Sequence, residues 1–245
     1  MNSLRKIIKM EDPIYGHYVA QQLAYYVVRI TESLNLRPNH FTIISFLCGL
    51  SAAVFFTQGT YHSLIIGVLL LNVSLVFDCC DGQLARLKGL GSQFGAWFDY
   101  YTDKIKDGAV LLGWTYGAYI AAGTSTWWIF AIAFIGIFFQ FLRNITALNR
   151  DIFQLQKTGK KDKQHTIISD AGANSHQFRR SLKHSLLFKL ADRIFLYTIF
   201  GIFNLRIEAI FVYTALTLCF AILSTYLNFR LFFKFDKENA TLTNK

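Results

Sequence analysis

The almost wholly apolar run LIIGVLLLNVSLVF, residues 64–77, is followed at once by the acidic stretch DCCDGQLARLKGLGSQFGAWFDYYTD, residues 78–103. Soon after that comes a second apolar run, GAVLLGWTYGAYIAA, residues 108–122. Four carboxylates, Asp78, Asp81, Asp99 and Asp103, are thus set between segments that belong in a bilayer. A carboxylate near hydrocarbon is costly and persists only with a partner. The stretch supplies one arginine, Arg86, and one lysine, Lys88, so four acids together imply a shared cation. Asp78 and Asp81 are three residues apart, and Asp99 and Asp103 are four apart. On helices each pair shares one face. Two such helices side by side would aim all four at one point. Hard oxygen ligands of this kind suit Mg²⁺, Mn²⁺ or Ca²⁺ rather than zinc.

Small residues accompany the acids. Gly82 and Ala85 lie on the side of Asp78 and Asp81, and Gly95 precedes Asp99 by one turn. Small side chains in a membrane helix let a backbone or a ligand come close. Arg86 offers a planar fork suited to phosphate oxygens. Metal ligands, a smooth wall and a phosphate clamp are the parts of metal-assisted transfer of a phosphorus group.

Further apolar runs occur at residues 41–56, 127–142, about 186–205 and 209–227, which predicts six spans at about 20 residues each. The expected fold is an all-α integral membrane protein of six transmembrane helices. An amphipathic interfacial helix precedes them, with Tyr15, Tyr18, Tyr25 and Tyr26 as interfacial anchors. The alternative for that segment is a soluble helix packed on a partner. The expected divisions are an arm at 1–36, the six-helix domain at 37–236 and a frayed polar tail at 237–245. A hydrophobic content of 53% with 24 Phe is too rich for a soluble surface. The net charge of +10 does not point to nucleic acid, because the basic residues cluster between the apolar runs. The four cysteines, Cys48, Cys79, Cys80 and Cys219, lie in spans or in the acidic stretch and do not form a disulfide framework. The first residues lack the long apolar core of a cleavable signal peptide.

Lys and Arg alternate across the spans. They occur in the arm (Arg5, Lys6, Lys9, Arg29, Arg37), beside the acidic stretch, in the loop around 157–163 and at the end (Arg230, Lys234, Lys237). The intervening turns carry none, apart from Arg206. By the positive-inside rule both termini and the aspartates are expected to face the cytoplasm, and the expected location is the cytoplasmic membrane. The basic run 157–163 reads as a solvated loop, with attraction of anionic lipid as the alternative. Asp107 extends the acidic spacing by one more turn and is expected to pair with Lys104 or a cation elsewhere, with support of the metal ligands from behind as the alternative.

The order DxxDG, two residues, AR, eight residues, G, three residues, D, three residues, D resembles the signature of the CDP-alcohol phosphotransferases. Asp78, Asp81, Gly82, Ala85, Arg86, Gly95, Asp99 and Asp103 match at every fixed position. The resemblance implies a six-helix membrane enzyme, usually a homodimer. It would move a phospho-alcohol from a CDP-alcohol donor to an acceptor hydroxyl and release CMP, as in phospholipid biosynthesis. It also implies that the four aspartates hold two divalent cations, Mg²⁺ or Mn²⁺, against the CDP diphosphate, and that Asp103 takes the acceptor proton. Gly82, Ala85, Arg86 and Gly95 would then bind the CDP part. Pro38, Asn39 and Thr42 match the family's Pro-Asn turn beside the nucleotide, although Asn39 or Thr42 could equally cap a helix.

Arg143, at the end of the fourth run, and Arg193, in the fifth, could hold an anionic acceptor, or they could snorkel to headgroups. The donor could be CDP-diacylglycerol or a soluble CDP-alcohol of the CDP-inositol type. Inositol phosphate, glycerol phosphate, serine or a lipid could be the acceptor. The long arm and Arg143 favour a polar phosphorylated one. Two other classes compete. A cation-coupled transporter would place its carboxylates near the midplane within internal repeats, whereas these gather at one face. An inactive scaffold would not need an intact signature.

Overall fold

The computed structural model describes residues 13–158 and 189–243. All regular structure among these residues is helical. A short π-helical turn, Gly16–Ala20, leads into α1 (Gln21–Thr31). Then come α2 (Pro38–Thr57), α3 (Tyr61–Lys88), α4 (Gln93–Ala122), α5 (Ile129–Thr158), α6 (Leu190–Ile202) and α7 (Arg206–Thr243). Four segments are long and apolar enough to cross a membrane: Pro38–Thr57, Tyr61–Lys88, Ile129–Arg150 and Arg206–Phe233. The chain is therefore an integral membrane protein. α4 has the length, 30 residues, but its first half carries five charged side chains from Asp99 to Asp107. α6 has 13 described residues. The outer surface is apolar: Leu47, Leu69, Phe134, Phe138 and Phe141 are all exposed. Such a surface suits lipid, not water.

The helix boundaries follow local chemistry. Pro38 occupies the first turn of α2, where its missing N–H costs nothing. The cap position there is Arg37, whose backbone N–H donates to His40 Nδ1 at 3.4 Å, so neither Asn39 nor Thr42 caps the helix. α3 opens on Thr60, whose hydroxyl oxygen accepts from the Ser63 amide, and closes on Gly89 in the left-handed conformation (φ +65°). Ser92 caps α4 by accepting from the Gly95 amide at 3.0 Å.

Glycines decide the close packing. A Cβ on Gly113 would lie 2.3 Å from the Ala53 carbonyl oxygen, and one on Gly117 would lie 1.9 Å from that of Phe56. Their four-residue spacing lets α4 lie directly on the α2 backbone. Gly136 on α5 likewise admits Tyr213 and Thr214 of α7. Trp114 is buried between Phe56 and Tyr197, and its Nε1 donates to the Arg206 carbonyl at 2.9 Å. Arg206 is itself buried. Its Nη1 donates to the carbonyls of Gly59, at 2.6 Å, and Gly117, at 3.1 Å, at the end of the bundle away from the aspartates.

Several expectations change. The N-terminal arm packs along α3 through buried Ala20, Ala24 and Val28. Tyr18 and Tyr26 are exposed, as anchors would be. Tyr15 is not: it packs on Phe195, 5.1 Å between ring centres, and donates its hydroxyl to Asn72, which in turn donates to Thr198 at 2.9 Å. The phenol is half-buried and satisfies the Asn72 side chain of α3. α5 does not stop at Arg143 but continues to Thr158. α7 runs through the expected tail to Thr243, since KFDKENATLT contains neither Pro nor Gly. Apart from its first residues, the basic run 157–163 lies outside the described residues, as do the N-terminal basic residues Arg5, Lys6 and Lys9.

Candidate active site

Three helices converge at the site. α3 contributes Asp78, Asp81, Gly82, Ala85 and Arg86 from its C-terminal half. α4 contributes Gly95, Asp99 and Asp103 from its first three turns, and α2 contributes Pro38, Asn39 and Thr42 from its first two. Asp78, Asp99 and Asp103 each offer a carboxylate oxygen, and these oxygens lie within 4.8 Å of one another. Asp81 is more deeply placed, at 8% exposure, and its Oδ2 accepts from the Thr42 hydroxyl at 2.7 Å. The three-atom group therefore does not include Asp81, which is spoken for by α2.

The donor set fits a divalent cation. The ligands are hard oxygens only, partly buried, and near enough to share an ion. Asp103 Oδ1 is buried and accepts no well-directed hydrogen bond; the Lys106 ammonium, 2.8 Å away, is the charge that answers it.

Two of the small residues sit against polar side chains of the expected site. A Cβ on Gly82 would come within 3.2 Å of Arg86 Nη1, so the guanidinium lies over the glycine. A Cβ on Gly95 would approach Asn39 Oδ1 at 3.3 Å, which places Asn39 against the start of α4. Asn39 thus meets the start of α4, while Thr42 ties the same helix to Asp81 of α3. Ala85 is half-buried.

The two candidate acceptor arginines meet different fates. Arg193 is 4% exposed, and its Nη2 donates to Asp107 Oδ2 at 2.8 Å. Asp107 therefore takes the second pairing expected of it, with a cation from another helix. Gln140 Nε2 donates to the same carboxylate oxygen at 3.2 Å, and the Tyr213 hydroxyl donates to Gln140 Oε1 at 2.6 Å. Arg193 Nε and Nη1 are buried and have no hydrogen-bond partner among the described residues. Lys106, Asp107, Arg193, Tyr197 and Tyr213 line one pocket, so Arg193 does not snorkel to headgroups. Arg143 is half-buried.

Sequence reasoning passed over Lys106, Gln140 and Tyr213. Lys106 had a signal, since it follows Asp103 by one turn on the same face. Gln140 and Tyr213 lie in apolar runs and had none.

Residues 35–170 match the family model described as CDP-alcohol phosphatidyltransferase. Over 116 residues the chain is 31% identical to a phosphatidylinositol phosphate synthase of Corynebacterium glutamicum, covering 47% of each. Over 89 residues it is 36% identical to an archaetidylinositol phosphate synthase of Pyrococcus horikoshii, covering 36% of this chain and 45% of the relative. The chain thus spans about half the length of these curated relatives. The crystal structure of the Mycobacterium tuberculosis phosphatidylinositol phosphate synthase with CDP-DAG bound aligns with a TM-score of 0.57 at 18% identity, covering 86% of this chain and 93% of that one. The same protein in complex with manganese and citrate gives 0.52 at 17% identity, covering 86% and 89%. At such identity the likeness is one of fold.

Proposed function

Because the chain belongs to the CDP-alcohol phosphatidyltransferase family, we propose that it transfers a phospho-alcohol group from a CDP-linked lipid to the hydroxyl of a phosphorylated polyol and releases CMP. The observation that carries this reading is the convergence of Asp78, Asp99 and Asp103, oxygens within 4.8 Å, beside the Arg86–Gly82 shelf. Asp78, Asp99 and Asp103, with Asp81 behind them, would hold two divalent cations, Mg²⁺ or Mn²⁺. The chemistry such ions supply is neutralisation of the diphosphate and of the leaving phosphate.

The chain's own residues do the rest. Arg86 binds a diphosphate oxygen, while Asn39 and the small surfaces of Gly82, Ala85 and Gly95 leave room for the cytidine. Thr42 orients Asp81. As the acceptor oxygen bonds to the phosphorus carrying the alcohol, the bond from that phosphorus to the CMP oxygen breaks. Asp103 takes the acceptor proton. Arg193, with two donors to spare in the pocket, holds the acceptor's phosphate, and Arg143 assists. The names of the relatives support an inositol phosphate as that acceptor and a CDP-diacylglycerol-like lipid as the donor. We further propose six spans with the site and both termini in the cytoplasm, and a homodimer as the working unit.

The test uses purified protein in vesicles containing CDP-diacylglycerol, with inositol phosphate added and CMP measured. Acceptor-dependent CMP release, and a phosphorylated inositol lipid by mass spectrometry, are expected. Absence of CMP with every CDP-alcohol and acceptor tried would sink the reading.

A further inference from the structure

We propose that Lys106 is a resident counter-cation of the aspartate cluster, holding Asp78 and Asp103 together without a divalent ion and setting how tightly one binds. This rests on reading the cluster as a divalent-cation site. Lysine usually extends its stem toward water. Lys106 turns inward and is 4% exposed. Its ammonium reaches Asp103 Oδ1 at 2.8 Å, Asp78 Oδ1 at 3.1 Å and Ser45 Oγ at 2.8 Å. One nitrogen thereby ties α2, α3 and α4 together.

The berth is built for it. A Cβ on Gly49 would lie 2.8 Å from Lys106 Cδ and 3.0 Å from Cγ, so that glycine makes the channel for the stem. Ser45, which receives the ammonium, is fixed in turn: it donates to the Ser74 carbonyl at 2.9 Å, and Ser74 Oγ donates to the Ser45 carbonyl at 2.7 Å. Gly49, Ser45 and Ser74 are all buried. None of the four residues belongs to the eight-residue signature.

The consequence is electrostatic. A cation drawn by Asp78 and Asp103 meets oxygens already shared with a positive charge, in surroundings that screen poorly. Lys106 therefore weakens the hold on the ion while sparing the carboxylates mutual repulsion when no ion is present. It is a positioning residue and a moderator of affinity, not a proton carrier.

The test is Mn²⁺ titration of the purified full chain in detergent, followed by electron paramagnetic resonance, with melting curves in EDTA and in saturating Mn²⁺. Lys106→Met should bind Mn²⁺ more tightly, on the order of tenfold. It should melt below wild type in EDTA, and the gap should narrow with Mn²⁺. Gly49→Ala keeps the charge but displaces the stem, and should shift affinity the same way by less. Should Lys106→Met not be recoverable, Gly49→Ala decides alone. Unchanged or weaker Mn²⁺ affinity in the variants, with wild type binding normally, overturns the proposal. A folded wild type that binds no Mn²⁺ instead removes the divalent-site reading, and this proposal with it.

Discussion

Thr42 on α2 donates its hydroxyl hydrogen to Asp81 Oδ2 on α3 at 2.7 Å, and both side chains are buried. The bond fixes one carboxylate of the acidic stretch to the helix that begins at the Pro-Asn turn. Thr42→Ala leaves a buried carboxylate oxygen without its donor, a loss of about 1–3 kcal/mol. Melting in detergent should fall by several degrees, and CMP release should fall with it. Thr42→Ser keeps the hydroxyl and should retain most of both. Equal melting points for the alanine and serine variants would show the bond to be unimportant.

The Asp107–Arg193 pair separates stability from acceptor binding. Breaking a buried ion pair from one side costs about 3–5 kcal/mol. Asp107→Asn and Arg193→Gln should both melt well below wild type. Only the arginine change should also raise the apparent KM for the acceptor, by about tenfold, one lost charge-assisted hydrogen-bond set, with the CDP donor KM unmoved. Arg143→Gln should raise the acceptor KM with little loss of stability. Steady-state kinetics with each substrate varied in turn distinguish the two effects.

Removing divalent ions with EDTA should abolish CMP release, and Mg²⁺ or Mn²⁺ should restore it. Zn²⁺ should restore it poorly, since all the clustered ligands are hard carboxylate oxygens. Asp78→Asn, Asp99→Asn and Asp103→Asn should each be inactive under saturating metal. Activity indifferent to chelation would remove the ions from the scheme.

The α2–α4 seam should tolerate no side chain. Gly117→Val would drive a Cβ into the Phe56 carbonyl oxygen, 1.9 Å away, and should cost several kcal/mol or prevent folding. Gly108→Ala is the control. Its added methyl would meet nothing closer than Ile137 Cδ1 at 3.8 Å, an ordinary contact, so yield and melting point should stay near wild type. Detergent-extracted yield and melting curves measure both.

The acidic stretch was legible because charge inside apolar sequence is rare and its spacing is periodic. The helix caps Thr60, Gly89 and Ser92 stand at the turns that composition marks. The bond from Tyr15 to Asn72, 57 residues away, is not legible, because a tyrosine that meets a distant side chain and one that does not look alike in sequence. The pairing of Asp107 with Arg193, 86 residues apart, needed the fold for the same reason. Gln140 and Tyr213 gave no local sign, since their bond exists only once α5 and α7 are packed.

Arg206 acts as a clamp at the end of the bundle away from the aspartates. Its Nη1 donates to the carbonyls of Gly59 and Gly117 and its Nε to Asn204 Oδ1, so one guanidinium ties the turn between α2 and α3, the body of α4 and the start of α7. The neutral carbonyls leave its positive charge intact and fix where that charge sits. A lysine at this position would keep the charge and lose the planar fork, and three helices would lose their common fastening at that end.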